Sequence, residues 1–191
     1  SWQFRLSPYL WFAGLKGDVG TIPPLPTAPV DISASEAIED TEASLMLILD
    51  AKKGRHGFFT DLIYTDVQSD EELVPQPIGL MMKSTSKTTI FSLAYQYELF
   101  GQDQTVVDLL AGARYWAIDS EHKFKGGLGL LAGKKLSNDE SWFDPALGVK
   151  GRAPLGNSKF YVEGGAGVGG FGVGSDLFYE ISANIGYQWN K

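Results

Sequence analysis

From Phe178 to Trp189 the chain reads Phe-Tyr-Glu-Ile-Ser-Ala-Asn-Ile-Gly-Tyr-Gln-Trp, and its chemistry changes at every step. Tyr179, Ile181, Ala183, Ile185, Tyr187 and Trp189 form one set; Phe178, Glu180, Ser182, Asn184, Gly186 and Gln188 form the other. Strand side chains point alternately to opposite faces, so one face here is apolar and the other nearly all polar. Alternation alone also fits a water-soluble sandwich or a lipocalin-like barrel. Two details point elsewhere. Aromatic residues flank the aliphatic middle of the apolar face, and the run has about the ten residues that a strand tilted ~45° needs to cross a bilayer. An aliphatic band between aromatic girdles, backed by a polar interior, marks a strand of a transmembrane β-barrel.

The rest of the chain repeats this unit. The first strand, Trp2 to Gly14, sets Trp2, Phe4, Leu6, Pro8, Leu10 and Phe12 against Gln3, Arg5, Ser7, Tyr9, Trp11 and Ala13. Pro8 lacks a ladder donor and predicts a bulge or bend. The second strand, Ala43 to Lys52, turns Leu45, Leu47 and Leu49 outward and Asp50 and Lys52 inward. The third puts Phe58, Leu62 and Tyr64 out and Asp61 in. The fourth, about Ser84 to Glu98, puts Phe91, Leu93, Tyr95 and Tyr97 out and Glu98 in. The fifth, Thr105 to Ile118, has Leu109 and Tyr115 out, with Asp108, Arg114 and Trp116 in. The sixth has Phe143, Leu147 and Val149 out, with Asp144, Lys150 and Arg152 in. The seventh has Phe160, Val162 and Val168 out, with Tyr161 and Glu163 in; the eighth turns Glu180 in.

Short connections follow strands two, four and six. Long ones follow strands one, three and five, at about 20–42, 67–82 and 119–141; the connection after strand seven, the short Gly-rich turn Phe171 to Asp176, is an exception. The cluster Pro23, Pro24, Pro26 and Pro29 disfavours regular pairing in the first of these. The segment 33–40 behind it predicts either a short acidic helix or a solvated loop with one helical turn. Outer-membrane barrels have short periplasmic turns and longer outside loops, so both termini are expected in the periplasm. Outward aromatics then fall at two heights. Trp2, Phe58, Tyr97, Phe160 and Trp189 make a periplasmic rim; Phe12, Tyr64, Tyr115, Phe143 and Tyr179 make an outer rim.

Composition is consistent with this. No run approaches eighteen apolar residues, so no transmembrane helix is expected. A polar-lined barrel averages to a hydropathy near zero, and the mean hydropathy is −0.09. Aromatics at 13% and 23 glycines favour β architecture. The absence of cysteine excludes disulfides and thiolate metal sites. A net charge of −7 argues against nucleic acid as a partner. The chain shows no signal peptide at Ser1 and is read as mature and as a single barrel domain over residues 1–191.

Candidate chemistry concentrates inside. The predicted lumen carries Arg5, Lys52, Arg114, Lys150 and Arg152 with Asp50, Asp61, Glu98, Asp108, Asp144, Glu163 and Glu180. Buried charges must pair or be hydrated. These form either an interlocked salt-bridge plug or a narrow hydrated path. Other motifs yield little. Gly165 to Gly170 fits G-x-G-x-x-G, but a dinucleotide site must open a helix, and here a strand follows; the glycines are read as facing crowded lumen side chains or easing curvature. His56, in a predicted turn, and His122, in a predicted outside loop, do not meet, so no nucleophile-base pair is formed. Asp70, Glu71 and Glu72 are read as a solvated acidic loop rather than a divalent-cation site. No metal, cofactor or catalytic residue is assigned.

Five segments carry a resemblance: Ser7-Pro-Tyr-Leu-Trp11, Gly54-Arg-His-Gly57, Asp61-Leu-Ile-Tyr64, Leu109-Leu-Ala-Gly-Ala-Arg-Tyr-Trp116 and Gly169-Gly-Phe-Gly-Val-Gly-Ser-Asp176. In that order they resemble a family of proteobacterial outer-membrane barrel proteins, and more distantly the OmpW-like and OmpA-like small barrels. The resemblance implies an all-β, antiparallel up-and-down transmembrane barrel in the outer membrane of a Gram-negative bacterium. It implies eight strands here, or ten if the native chain continues past Lys191. Implied partners are outer-membrane lipid and lipopolysaccharide, and the barrel-assembly machinery during insertion. The implied role is a narrow passive channel for small solutes, without enzymatic activity. A closed structural barrel for envelope integrity or loop-mediated interaction is the alternative.

Overall fold

The computed structural model describes residues 1–10, 15–19, 28–32, 39–74, 79–102, 104–126 and 133–188. Its main sheet contains β1 (Gln3–Pro8), β4 (Thr41–Lys53), β5 (His56–Val74), β6 (Leu80–Gln102), β7 (Thr105–Lys125), β8 (Lys135–Pro154), β9 (Phe160–Gly170) and β10 (Leu177–Tyr187). These eight pair in chain order, each antiparallel to the next. The sheet curls into a half-barrel. Among the described residues no ladder joins β1 to β10, which stand as its two edges. Each of the eight strands read from the sequence corresponds to one of these.

Tight turns join the strands at one end. Gly54, with φ +62°, lets a two-residue turn link β4 to β5 in the left-handed backbone region that such hairpins need. Arg55 ties this turn to β6 by donating to the Glu98 carbonyl at 2.8 Å.

Three expectations need correction. First, β1 ends at Pro8 rather than near Gly14; Pro8 has no N–H to extend the ladder, and one further bond, Tyr9 N to Met46 O at 3.1 Å, follows it. Second, the 20–42 connection is not free of pairing. β3 (Ala28–Ile32) pairs with β2 (Leu15–Val19) in a separate two-stranded sheet, and Pro29 sits opposite Asp18. A two-stranded ribbon has only edge strands, where a proline is tolerated. Third, the stretches 67–82 and 119–141 are largely hairpin: β5 runs on to Val74, β6 begins at Leu80, β7 reaches Lys125 and β8 starts at Lys135. Apart from Met81, Met82, Phe124 and Leu136 both faces of these extensions are largely polar, so the period-two signal that marks a half-buried strand is missing there. Ion pairs stand in for apolar packing. Lys87 lies 3.5 Å from Asp66, and Glu121 pairs with Lys123 and, at 2.5 Å, with Lys135. The two ammonium groups draw the Glu121 carboxyl down to about 2. Phe12, Trp189 and most of the 33–40 segment lie outside the described residues.

Burial is inverted relative to a soluble domain. Met46 is the only large hydrophobic side chain fully buried among the described residues. The polar side chains withdrawn from water are Asp50, Ser92, Gln96, Asp108 and Asp144. On the convex face Ile181 is 83% exposed, Phe4 72% and Leu6 61%, with Leu45, Leu93, Leu147 and Val149 also in the open. This apolar surface is continuous across all eight strands because the registers align the outward positions.

Candidate functional site

All twelve charged residues predicted for the lumen belong to the concave face. Alternation puts them there, and the antiparallel registers keep them on one side. Arg5 stands opposite Asp50, Asp108 opposite both Glu98 and Lys150, Arg114 opposite Asp144, and Arg152 opposite Glu163. Curvature then brings together residues from strands that are not neighbours.

Seven of the twelve form an unbranched chain of alternating sign. Glu98 Oε2 lies 2.9 Å from Lys52 Nζ, which lies 2.7 Å from Asp108 Oδ1. Asp108 lies 4.0 Å from Lys150, which pairs in turn with Asp50. Asp50 lies 3.3 Å from Arg5, whose guanidinium makes a two-pronged contact with Glu163 at 2.7 and 3.3 Å. The chain runs from β6 through β4, β7 and β8, back to β4, and then through β1 to β9. Gln96, fully buried, donates its amide N–H to Asp50 Oδ1 at 2.8 Å. Removing Lys52 would leave Glu98 without a cation and Asp108 with only Lys150 at 4.0 Å, and breaking a buried pair in this way costs up to about 3–5 kcal/mol.

The other five find different partners. Arg114 meets Glu180 at 2.9 Å and donates to Ser92 Oγ at 2.8 Å. Its guanidinium lies 4.9 Å from the Phe178 ring centroid. Asp61 accepts the Tyr9 hydroxyl at 2.8 Å. Arg152 donates to Gln188 at 3.1 Å and stacks 3.7 Å over Tyr161. Asp144 makes no ion pair among the described residues. It accepts from Trp142 Nε1 at 3.0 Å, Ser175 N at 2.6 Å and Ser175 Oγ at 2.7 Å. These bonds fold the 171–176 turn inward over an aromatic group in which Trp116 stacks on Trp142 at 5.8 Å. The sequence reading missed Trp142 and Ser175. The signal for Trp142 was its parity with Asp144; for Ser175, inside a Gly-rich turn, there was none.

The girdle residues that are described sit on the convex face. Trp2, Phe58, Phe143, Phe160 and Tyr179 are exposed there, and Tyr64, Tyr97 and Tyr115 are partly covered by neighbours. Tyr115 and Phe143 pack at 4.8 Å, and Phe160 packs with Tyr187 at 5.0 Å.

The glycine run lies within β9, away from any helix N-terminus. A Cβ at Gly169 would lie 2.5 Å from the Phe178 ring, and one at Gly167 3.1 Å from Glu180 Oε1. These glycines therefore make room for concave-face side chains. His56 is the first residue of β5 rather than part of a turn, and hydrogen-bonds the Tyr95 hydroxyl. His122 lies on β7 rather than in a loop, 3.0 Å from Ser84 Oγ. They occupy opposite ends of the sheet. Asp70 is exposed on β5; the side chains of Glu71 and Glu72 lie outside what is described.

Two cavities follow the charged face, of about 330 Å³ near the tight turns and about 130 Å³ further along. No protein-family model matches this chain, and no curated protein sequence matches it.

Proposed function

We propose that this chain is an outer-membrane β-barrel protein acting as a narrow passive channel for small solutes, with no catalytic activity. The inverted burial carries the reading. A continuous exposed apolar face is costly in water, whereas hydrocarbon outside and water inside would suit both that face and the charges of the concave side. Closure of the sheet belongs to the same proposal. β1 and β10 are antiparallel by the even strand count, so they can pair with each other, or each can accept a further strand if the native chain runs past Lys191. On this reading the tight turns and both termini are periplasmic. The long hairpins project outward, and lipid and lipopolysaccharide surround the convex face after insertion by the barrel-assembly machinery. The resemblance to proteobacterial outer-membrane barrels points the same way.

A specific observation favours a second reading, a closed structural barrel. Each cation of the seven-residue chain is already engaged by carboxylates, as a permanent plug would require. Recordings in planar bilayers decide between the two. The channel reading expects small unitary currents from the folded protein. Silence at every voltage, from protein shown by heat-modified gel migration to be folded, would leave the structural reading.

A further inference from the structure

The two cavities lie on either side of one layer of side chains. The larger is bounded at the tight-turn end by Lys52, Glu98 and Arg152. The smaller lies beside Arg114, Glu180 and Ser182, where Gly148, Gly165 and Gly167 leave the wall bare. Among the described residues only Lys150 and Glu163 line both. They stand on adjacent strands, and each is held from the opposite wall. Lys150 is paired with Asp50 on β4, and Glu163 is gripped at 2.7 Å by Arg5 on β1. Asp50 and Arg5 are themselves 3.3 Å apart, so Lys150, Asp50, Arg5 and Glu163 form a run of two cations and two anions across the partition.

We propose that Lys150 and Glu163 form the gate and the charge filter between the two cavities. The inference rests on the channel reading and names the residues that set its selectivity. A solute passing between the cavities must displace one of these side chains from its partner. With both signs present the layer is neutral and favours neither anions nor cations. Charged side chains at a constriction set ionic selectivity through their net sign. Removing Lys150 leaves the layer negative; removing the charge of Glu163 leaves it positive. The two changes must therefore shift selectivity in opposite directions while both loosen the partition.

Reversal potentials and unitary conductance under a salt gradient test this. Lys150→Met is expected to raise conductance severalfold and favour cations, and Glu163→Gln to raise it and favour anions. Glu121→Gln, on the convex face of the hairpin extension, is expected to match the parent protein. Folded variants with parental conductance and selectivity would overturn the gate and leave the channel standing. Silence from the folded parent and every folded variant would remove the channel reading, and the gate with it.

A second measurement stays close to the parent sequence, since the chain has no cysteine. A membrane-impermeant thiol reagent added at the tight-turn side should modify Arg152→Cys quickly and Ser182→Cys much more slowly, because of these two cavities Arg152 lines only the larger and Ser182 only the smaller. Equal rates would rule out a partition at Lys150 and Glu163.

Discussion

Asp144 shows how much one buried carboxylate can hold. It is fully buried and accepts three hydrogen bonds, two of them from Ser175 at 2.6 and 2.7 Å. Gly174 sits so close that a Cβ there would lie 2.7 Å from Asp144 Oδ1. Asp144→Ala would leave the Ser175 N–H and hydroxyl without their acceptor, at roughly 1–3 kcal/mol for each donor that water does not reach, while Trp142 Nε1 keeps Ser175 Oγ at 3.0 Å. The expected outcome is a lower denaturation midpoint in detergent micelles, with faster amide exchange confined at first to 171–176. A variant as stable as the parent, with unchanged exchange, would show that the turn is held by its backbone alone.

At the scale of the strand, β10 separates the two faces most cleanly. Ala183 lies between Ile181 and Ile185 on the apolar side, and Ser182 turns toward the charged side. If the convex face meets hydrocarbon, Ala183→Arg costs about 2–4 kcal/mol, as a midplane cation does in membrane barrels. Ser182→Arg adds its charge beside Glu180 and Asn184, in a polar setting, and should cost much less. Folding titrations into lipid vesicles compare the two directly, and equal tolerance at both sites would overturn the facing of β10. The hairpin extensions follow a different rule. There the strands are held by backbone ladders, threonines such as Thr85, Thr88 and Thr89, and exposed ion pairs, each worth little by itself.

For the whole molecule, the curled sheet encloses charge and presents hydrocarbon. The purified protein is expected to stay monodisperse in detergent micelles and to aggregate when the detergent is removed, as read by size-exclusion chromatography. A monodisperse species in plain buffer would remove the membrane reading, since Phe4, Leu6 and Ile181, exposed on the convex face, would then be in contact with water or with another part of the protein rather than with hydrocarbon.

The order and facing of the eight strands were legible in the sequence alone. Side-chain direction on a strand repeats every two residues, so parity places Asp50 or Glu163 on a face without any knowledge of neighbours. Parity also ends where both faces are largely polar, which is why the strands beyond Val67 and Asp119 read as loops. Which charges meet was not legible. Arg5 and Glu163 lie 158 positions apart on non-adjacent strands and touch only because the sheet curls. The partners of Asp144 come from a turn without periodicity. Local alternation therefore determined what each face is made of, while curvature and register, which sum contributions from every strand, decided which groups face one another across the interior.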